Sequence, residues 1–149
     1  MIRIKAVDAQ NILEVCGLAS NRDGACAAIE VCSGCNAVSI AEAKYDSEMR
    51  PNAIYNNNAP IGFFMYKRAE NQAEKATILR FMIDDRFRRK GYEEKALEHI
   101  LRGLKIQGVR KVEVIIDNAN ENEKNLYLSF GFHIVRKIDK TKYCYELEL

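Results

Sequence analysis

In the stretch Asp-Asp-Arg-Phe-Arg-Arg-Lys-Gly-Tyr-Glu-Glu, residues 84–94, three consecutive cations, Arg88, Arg89 and Lys90, stand directly before a glycine and an apolar-periodic segment. A helix N-terminus offers unpaired amides and a partial positive charge, and a glycine there permits close backbone approach. The chemistry open to this junction is the holding of an anion such as a phosphate. Charge is distributed accordingly: residues 1–66 carry five basic and seven acidic groups, residues 67–111 thirteen and seven, and residues 112–149 five and seven. A basic middle between mildly acidic flanks implies a local anion site, and argues against a whole face for nucleic acid or membrane. The thiols point elsewhere. Cys32 and Cys35 form a C-x-x-C with Cys26 nearby, but no second such pair follows, and the two histidines, His99 and His133, are distant in sequence. Zinc usually takes four ligands, so no metal is expected, and an odd count of five cysteines implies reduced thiols.

These residues must be positioned by a chain of 149 residues, 48% hydrophobic and 30% charged, with eight glycines and two prolines. That composition fits one compact domain over residues 1–149. No apolar run reaches the ~18 residues of a membrane span, and the first residues, MIRIKAVDAQN, lack the apolar stretch of a signal peptide, so a cytoplasmic protein is expected. IRIKAV alternates as a strand, and Asp8 can cap a helix carrying Ile12, Val15, Cys16 and Ala19 at helical spacing. A second helix is expected from about Asp23 to Cys32. Ser39 and Glu42 fit a capping box for a short helix that Pro51 ends. NAIYN and IGFFMYK flank the turn residues Asn56, Asn57 and Asn58 as a hairpin, and ATILRFMID adds a third antiparallel strand.

From Gly91 the period changes. Ala96, Leu97, Ile100, Leu101 and Leu104 trace one face of a helix that Gly108 stops. KVEVIID is the next strand, and a helix near 120–130 is capped by Asn120 with Glu123 and stopped by Gly131. FHIVRKI and YCYELEL flank the turn DKTK. The whole is a mixed α/β arrangement in which the strand-helix-strand unit at 76–116 places two parallel strands side by side. Ligands in such sheets sit beyond the carboxyl ends of the strands.

The order of elements along the whole chain resembles the GNAT N-acetyltransferase superfamily. Its acetyl-CoA loop, Q/R-x-x-G-x-G/A between a strand and a helix, is answered by Arg88 and Gly91, with Glu93 at the third position. A second signature, N-x-x-A-x-x-L-Y-x-x-x-G-F, is answered from Asn120 by Leu126, Tyr127, Gly131 and Phe132, with Glu123 in place of alanine. SIAEAKYD, IGFFMY and RFMIDDRF look most like the bacterial spermine/spermidine (diamine) acetyltransferases. The resemblance implies a mostly antiparallel, splayed sheet flanked by helices. It also implies transfer of an acetyl group from acetyl-CoA to a primary amine of a small molecule, such as a polyamine, by direct attack, and it leaves a homodimer open.

In residue terms, the resemblance implies that the backbone of Phe81, Met82 and Ile83 pairs with the pantetheine arm. Amides of Arg88, Arg89, Lys90, Gly91, Tyr92, Glu93 and Glu94 would hold the pyrophosphate, and Asn120 would bond the pantetheine. Tyr127 would stand near the thioester sulfur as general acid, and Glu30 is the candidate base. Two features depart from that pattern. Glu93 sets a carboxylate where it faces a pyrophosphate, and Lys67, Arg68 and Lys75 surround Glu70 and Glu74, weakening the attraction for a polycation. An acyl-CoA-binding sensor or scaffold of the same fold is therefore the alternative reading, separated from an enzyme by thiol release.

Overall fold

The computed structural model describes residues 1–20 and 35–149. The helix expected from Asp23 to Cys32, with Cys26, Glu30 and Cys32, lies outside the described residues. Seven strands form: β1 (Ile2–Ala6), β2 (Met49–Asn56), β3 (Ala59–Lys67), β4 (Lys75–Ile83), β5 (Lys111–Asp117), β6 (His133–Lys137) and β7 (Lys142–Glu148). They form one sheet in the order β1-β2-β3-β4-β5-β7-β6. Every pairing is antiparallel except β4 with β5, which are parallel and joined by a crossover helix.

Helices cover both faces: α1 (Ile12–Cys16), α2 (Asn36–Lys44), α3 (Tyr92–Ile106) and α4 (Glu121–Ser129). The apolar stripe of α3, Ala96, Leu97, Ile100, Leu101 and Leu104, is buried against Ile54, Phe64, Val112, Val114 and Ile116. Burying a large apolar side chain is worth about 1.5–3 kcal/mol, so this stripe outweighs the few tenths that separate helix propensities. On the opposite face Val15 joins Ala53, Tyr55, Phe63 and Met65, with Ile40 of α2 packed against them.

Several local expectations are corrected. Asp8 is not the N-cap of α1, which is Asn11; its carboxylate instead accepts the amides of Gln10 and Asn11 at 2.9 and 3.0 Å, tightening the turn before the helix. The helix stops at Cys16, so Ala19 lies beyond it. Ser39 does not cap: α2 begins at Asn36, and Ser39 is buried inside it. Pro51 does not end a helix but sits in β2 opposite Met65. Its carbonyl accepts the Val7 amide at 3.1 Å. Nitrogen and carbonyl share a side in an antiparallel strand, so the missing N–H falls past the end of the β1 ladder and costs no bond to β3.

The parallel ladder is short. Its pairs run from Lys75 with Lys111 to Ile78 with Val114, although β4 continues to Ile83 and β5 to Asp117. Against β3 the register slips at this point, Met65 facing Arg80 and Tyr66 facing Ile78, so Leu79 is a bulge. A bulge bends its strand and adds twist, which carries the end of β4 away from β5.

Candidate functional site

Beyond the last parallel pair, where β4 leaves β5, lies a cleft of about 720 Å³, within the usual range for small-molecule sites. One wall is Phe81, Met82 and Ile83 of β4; the other is Asn120, Asn122, Glu123 and Leu126 of α4. Its end is closed by Arg88, Arg89, Gly91, Glu93 and Glu94, with Ser20 beside them. Thus nine of the expected cofactor residues meet at one cleft, whereas Lys90, Tyr92 and Tyr127 do not line it. Tyr92 lies against the core and its hydroxyl accepts Asn56 Nδ2 at 3.1 Å, so this side chain ties the start of α3 to the end of β2. Its amide stays available.

The loop before α3 is shaped for close approach to a ligand. Gly91, the N-cap, has φ 78° and offers no side-chain cap, and Arg89 has φ 61°. Helix geometry leaves the amides of Tyr92, Glu93 and Glu94 without intrahelical acceptors, next to two arginines. Left-handed arginine is uncommon and costs on the order of 1 kcal/mol, which the surrounding contacts must hold. Arg88 Nη1 donates to the Ser20 carbonyl at 3.2 Å, and Arg88 Nε stands 4.0 Å from Glu93 Oε1.

Asp84 anchors this loop, a role the sequence reading missed. It is fully buried, and its carboxylate accepts the Ala19 amide at 3.0 Å, the Arg86 amide at 3.0 Å and Arg86 Nε at 2.8 Å. The Asp85 amide then donates to the Ala19 carbonyl at 2.9 Å. An Asp closing an apolar strand before a turn carries the Asx-turn signature, the one local signal that could have marked it.

At the head of α4, Asn120 Oδ1 accepts the Glu123 amide at 3.2 Å while Asn120 Nδ2 donates to Glu123 Oε2 at 2.7 Å. This is the expected cap, and it occupies the Asn120 side chain within the helix. Burial pushes the Glu123 carboxyl above the usual range, and Asp117 pushes it the same way. The i, i+3 spacing of 120, 123 and 126 marks the cleft-facing side of α4 and was the signal for Glu123 and Leu126. One residue further, Tyr127 is fully buried, its ring edge-on to Phe132 at 5.1 Å. Its hydroxyl has no hydrogen-bond partner among the described residues. Burial drives the phenol well above its ordinary value, with the Glu123 charge adding to the effect.

Among the described residues no cluster of three or more His, Cys, Asp or Glu side chains is set to hold a metal, and no helix is long and apolar enough to cross a membrane.

Solved structures share this architecture. An acetyltransferase from Thermus thermophilus matches with TM-score 0.69 and 20% identity, covering 100% of this chain and 97% of its own. The PaiA N-acetyltransferase from Thermoplasma acidophilum, in complex with coenzyme A, matches with TM-score 0.72 and 16% identity over 100% and 99%. A GNAT family acetyltransferase from Elizabethkingia anophelis with acetyl-CoA bound matches with TM-score 0.66 and 16% identity over 99% and 98%. At such identities the likeness establishes the fold. No curated protein sequence matches the chain. The sequence model of the acetyltransferase (GNAT) family matches residues 20–132, spanning β2 to β5, the basic loop and α4. The chain belongs to the acetyltransferase (GNAT) family.

Proposed function

We propose that residues 1–149 form a single catalytic domain that transfers the acetyl group of acetyl-CoA to a primary amine of a small molecule in the cytoplasm, with polyamines as the acceptor class to test first. One observation carries the reading: the β4–β5 ladder ends at Ile78 and Val114 and opens onto the uncapped N-terminus of α3. A free strand edge suits an amide-bearing arm, and free helix amides flanked by Arg88 and Arg89 suit a pyrophosphate. Two relatives that carry coenzyme A or acetyl-CoA support the same ligand. The free thiols of Cys16, Cys35 and Cys144 fit a reducing compartment.

Bound acetyl-CoA supplies an activated thioester carbonyl. The chain supplies orientation: the β5-facing backbone of Phe81 to Ile83 aligns the arm, and the loop at Arg88 to Glu94 fixes its charged end. Tyr127, one residue behind the lining side chain of Leu126, keeps its proton on an oxygen that burial holds un-ionised, and it is the proposed donor to the departing thiolate. Glu30 remains the proposed acceptor of the amine proton. An acyl-CoA sensor or scaffold is the second reading, favoured by the Glu93 carboxylate, which occupies Arg88 at the anion site.

The test is thiol release from acetyl-CoA with a panel of amines that includes diamines, polyamines, amino acids and aminoglycosides. Amine-dependent release with one class preferred supports the enzyme. Tight acetyl-CoA binding without release for any amine would support the sensor.

A further inference from the structure

Glu123 puts a carboxyl group into the cofactor cleft, and none of the steps above uses it. Its surroundings do not suit a charge. Among the described residues the one hydrogen-bond partner of its carboxyl is neutral, Asn120 Nδ2 at 2.7 Å. Two nearby cations are held by other partners: Lys124 by Glu121 at 3.0 Å and Asn118 Oδ1 at 3.4 Å, Arg88 by Ser20 and Glu93. Among the described residues no ion pair reaches Glu123. From β5 it faces Asp117, a second carboxylate, and from its own helix the un-ionised Tyr127. Across the cleft the loop before α3 presents Arg88 and Arg89 together with Glu93 and Glu94.

A ligand that fills this cleft strips water from Glu123, and a coenzyme adds phosphate charge. Both effects favour the neutral form of a carboxyl that has no counter-ion. A neutral carboxyl also gains a donor, and a pantetheine arm carries amide oxygens able to accept from it. We propose that Glu123 is a cofactor-contacting residue that takes up one proton as acetyl-CoA enters and then donates a hydrogen bond to an oxygen of its arm. The inference rests on acetyl-CoA occupying this cleft. It makes cofactor affinity depend on pH: binding weakens as pH rises above the free-state value of Glu123, by at most about tenfold per pH unit for one proton.

Calorimetry with acetyl-CoA and no amine, between about pH 5.5 and 8, in two buffers of different ionisation enthalpy, measures affinity and proton uptake together. The proteins compared are the wild type, Glu123→Gln and Glu123→Ala. The wild type should take up more protons than Glu123→Gln, up to one, and its Kd relative to that variant should rise with pH by up to about tenfold per unit between the free and bound values of Glu123. Glu123→Gln keeps a donor and Glu123→Ala does not, so the alanine variant should bind more weakly at every pH. The cofactor's own phosphates titrate alike in all three proteins and cancel in the ratio. Equal proton uptake and parallel pH profiles for the wild type and Glu123→Gln would overturn the proposal while leaving acetyl-CoA in the cleft. Absence of acetyl-CoA binding to the folded wild type would overturn the cofactor reading itself, and the proposal with it.

Discussion

Gly62 of β3 stands opposite Ile83 at the diverging end of β4, and a Cβ built on it would run into the carbonyl oxygen of Met82. The close approach of these two backbones holds the end of β4 where it leaves β5. The wall formed by Phe81, Met82 and Ile83 is therefore braced from behind by a residue that never touches the cleft.

Replacing Gly62 by alanine forces backbone to shift, because the clash is with a carbonyl and not with a flexible side chain. Overpacking of this kind costs about 1–3 kcal/mol. Denaturant unfolding of Gly62→Ala should show that loss, and its Kd for acetyl-CoA should rise several-fold because the strand edge has moved. Unchanged stability and affinity would mean that β4 yields freely at Met82.

Much of this cleft was legible in the sequence because its parts are local. The RRKG run before an apolar-periodic segment marks the α3 terminus, and Asn120 with Glu123 three residues on marks the head of α4. What failed was local pattern overruled by tertiary packing. Ser39 and Glu42 have capping-box spacing, yet the inner face of α2 carries Ser39 into the core and Glu42 turns towards Arg80, 3.7 Å away. The contact between Asp84 and Ala19 was unreadable for a different reason: the two lie 65 residues apart, and no spacing rule spans that distance.

A second buried carboxylate stabilises the far half of the sheet. Glu113 accepts Lys75 Nζ at 2.8 Å and Arg136 Nη1 at 3.1 Å, the arginine reaching across Cys144 of β7. Burial works to raise its carboxyl, but the two hydrogen bonds and charges prevail and hold it below the ordinary value of 4.5. The folded state thus binds fewer protons there than the unfolded chain. The stabilisation is complete above the ordinary value and is lost as pH falls through it towards the folded one. Glu113→Gln should lower stability at pH 7 by about 1–2 kcal/mol, the half-exposed cations recovering solvent. That gap should narrow as pH falls below 4.5 in urea titrations. A gap that persists in acid would assign the loss to packing.

If the loop before α3 holds the cofactor phosphates, Glu93 opposes them in two ways, through its own charge and by holding Arg88 at 4.0 Å. The same carboxylate favours the α3 dipole by about 0.3–1 kcal/mol. Glu93→Ala should therefore cost the apoprotein about 1 kcal/mol at most, yet tighten acetyl-CoA binding by about two- to fivefold at low salt. The gain should shrink as ionic strength rises, since both charges are partly exposed. Weaker binding by Glu93→Ala at low salt would show that the Arg88–Glu93 contact organises the loop instead of competing with the ligand.

The buried Tyr127 hydroxyl bears on stability and, if it is the proton donor, on activity. Its hydroxyl is buried without a partner among the described residues, and an unsatisfied buried hydroxyl costs about 1–3 kcal/mol. The ring packs edge-on against Phe132, and a phenylalanine keeps that contact. Tyr127→Phe should accordingly leave the apoprotein as stable as the wild type or more so, with a Tm that rises. Its Kd for acetyl-CoA should change little. If the phenol delivers the proton to the leaving thiolate, kcat should fall by ~10²-fold or more under conditions where chemistry is rate-limiting. A thermal melt and a single-turnover measurement on the same preparation decide the matter. A raised Tm with unchanged single-turnover rate would make Tyr127 a core residue alone, and a lowered Tm would show that the hydroxyl is satisfied in the folded protein.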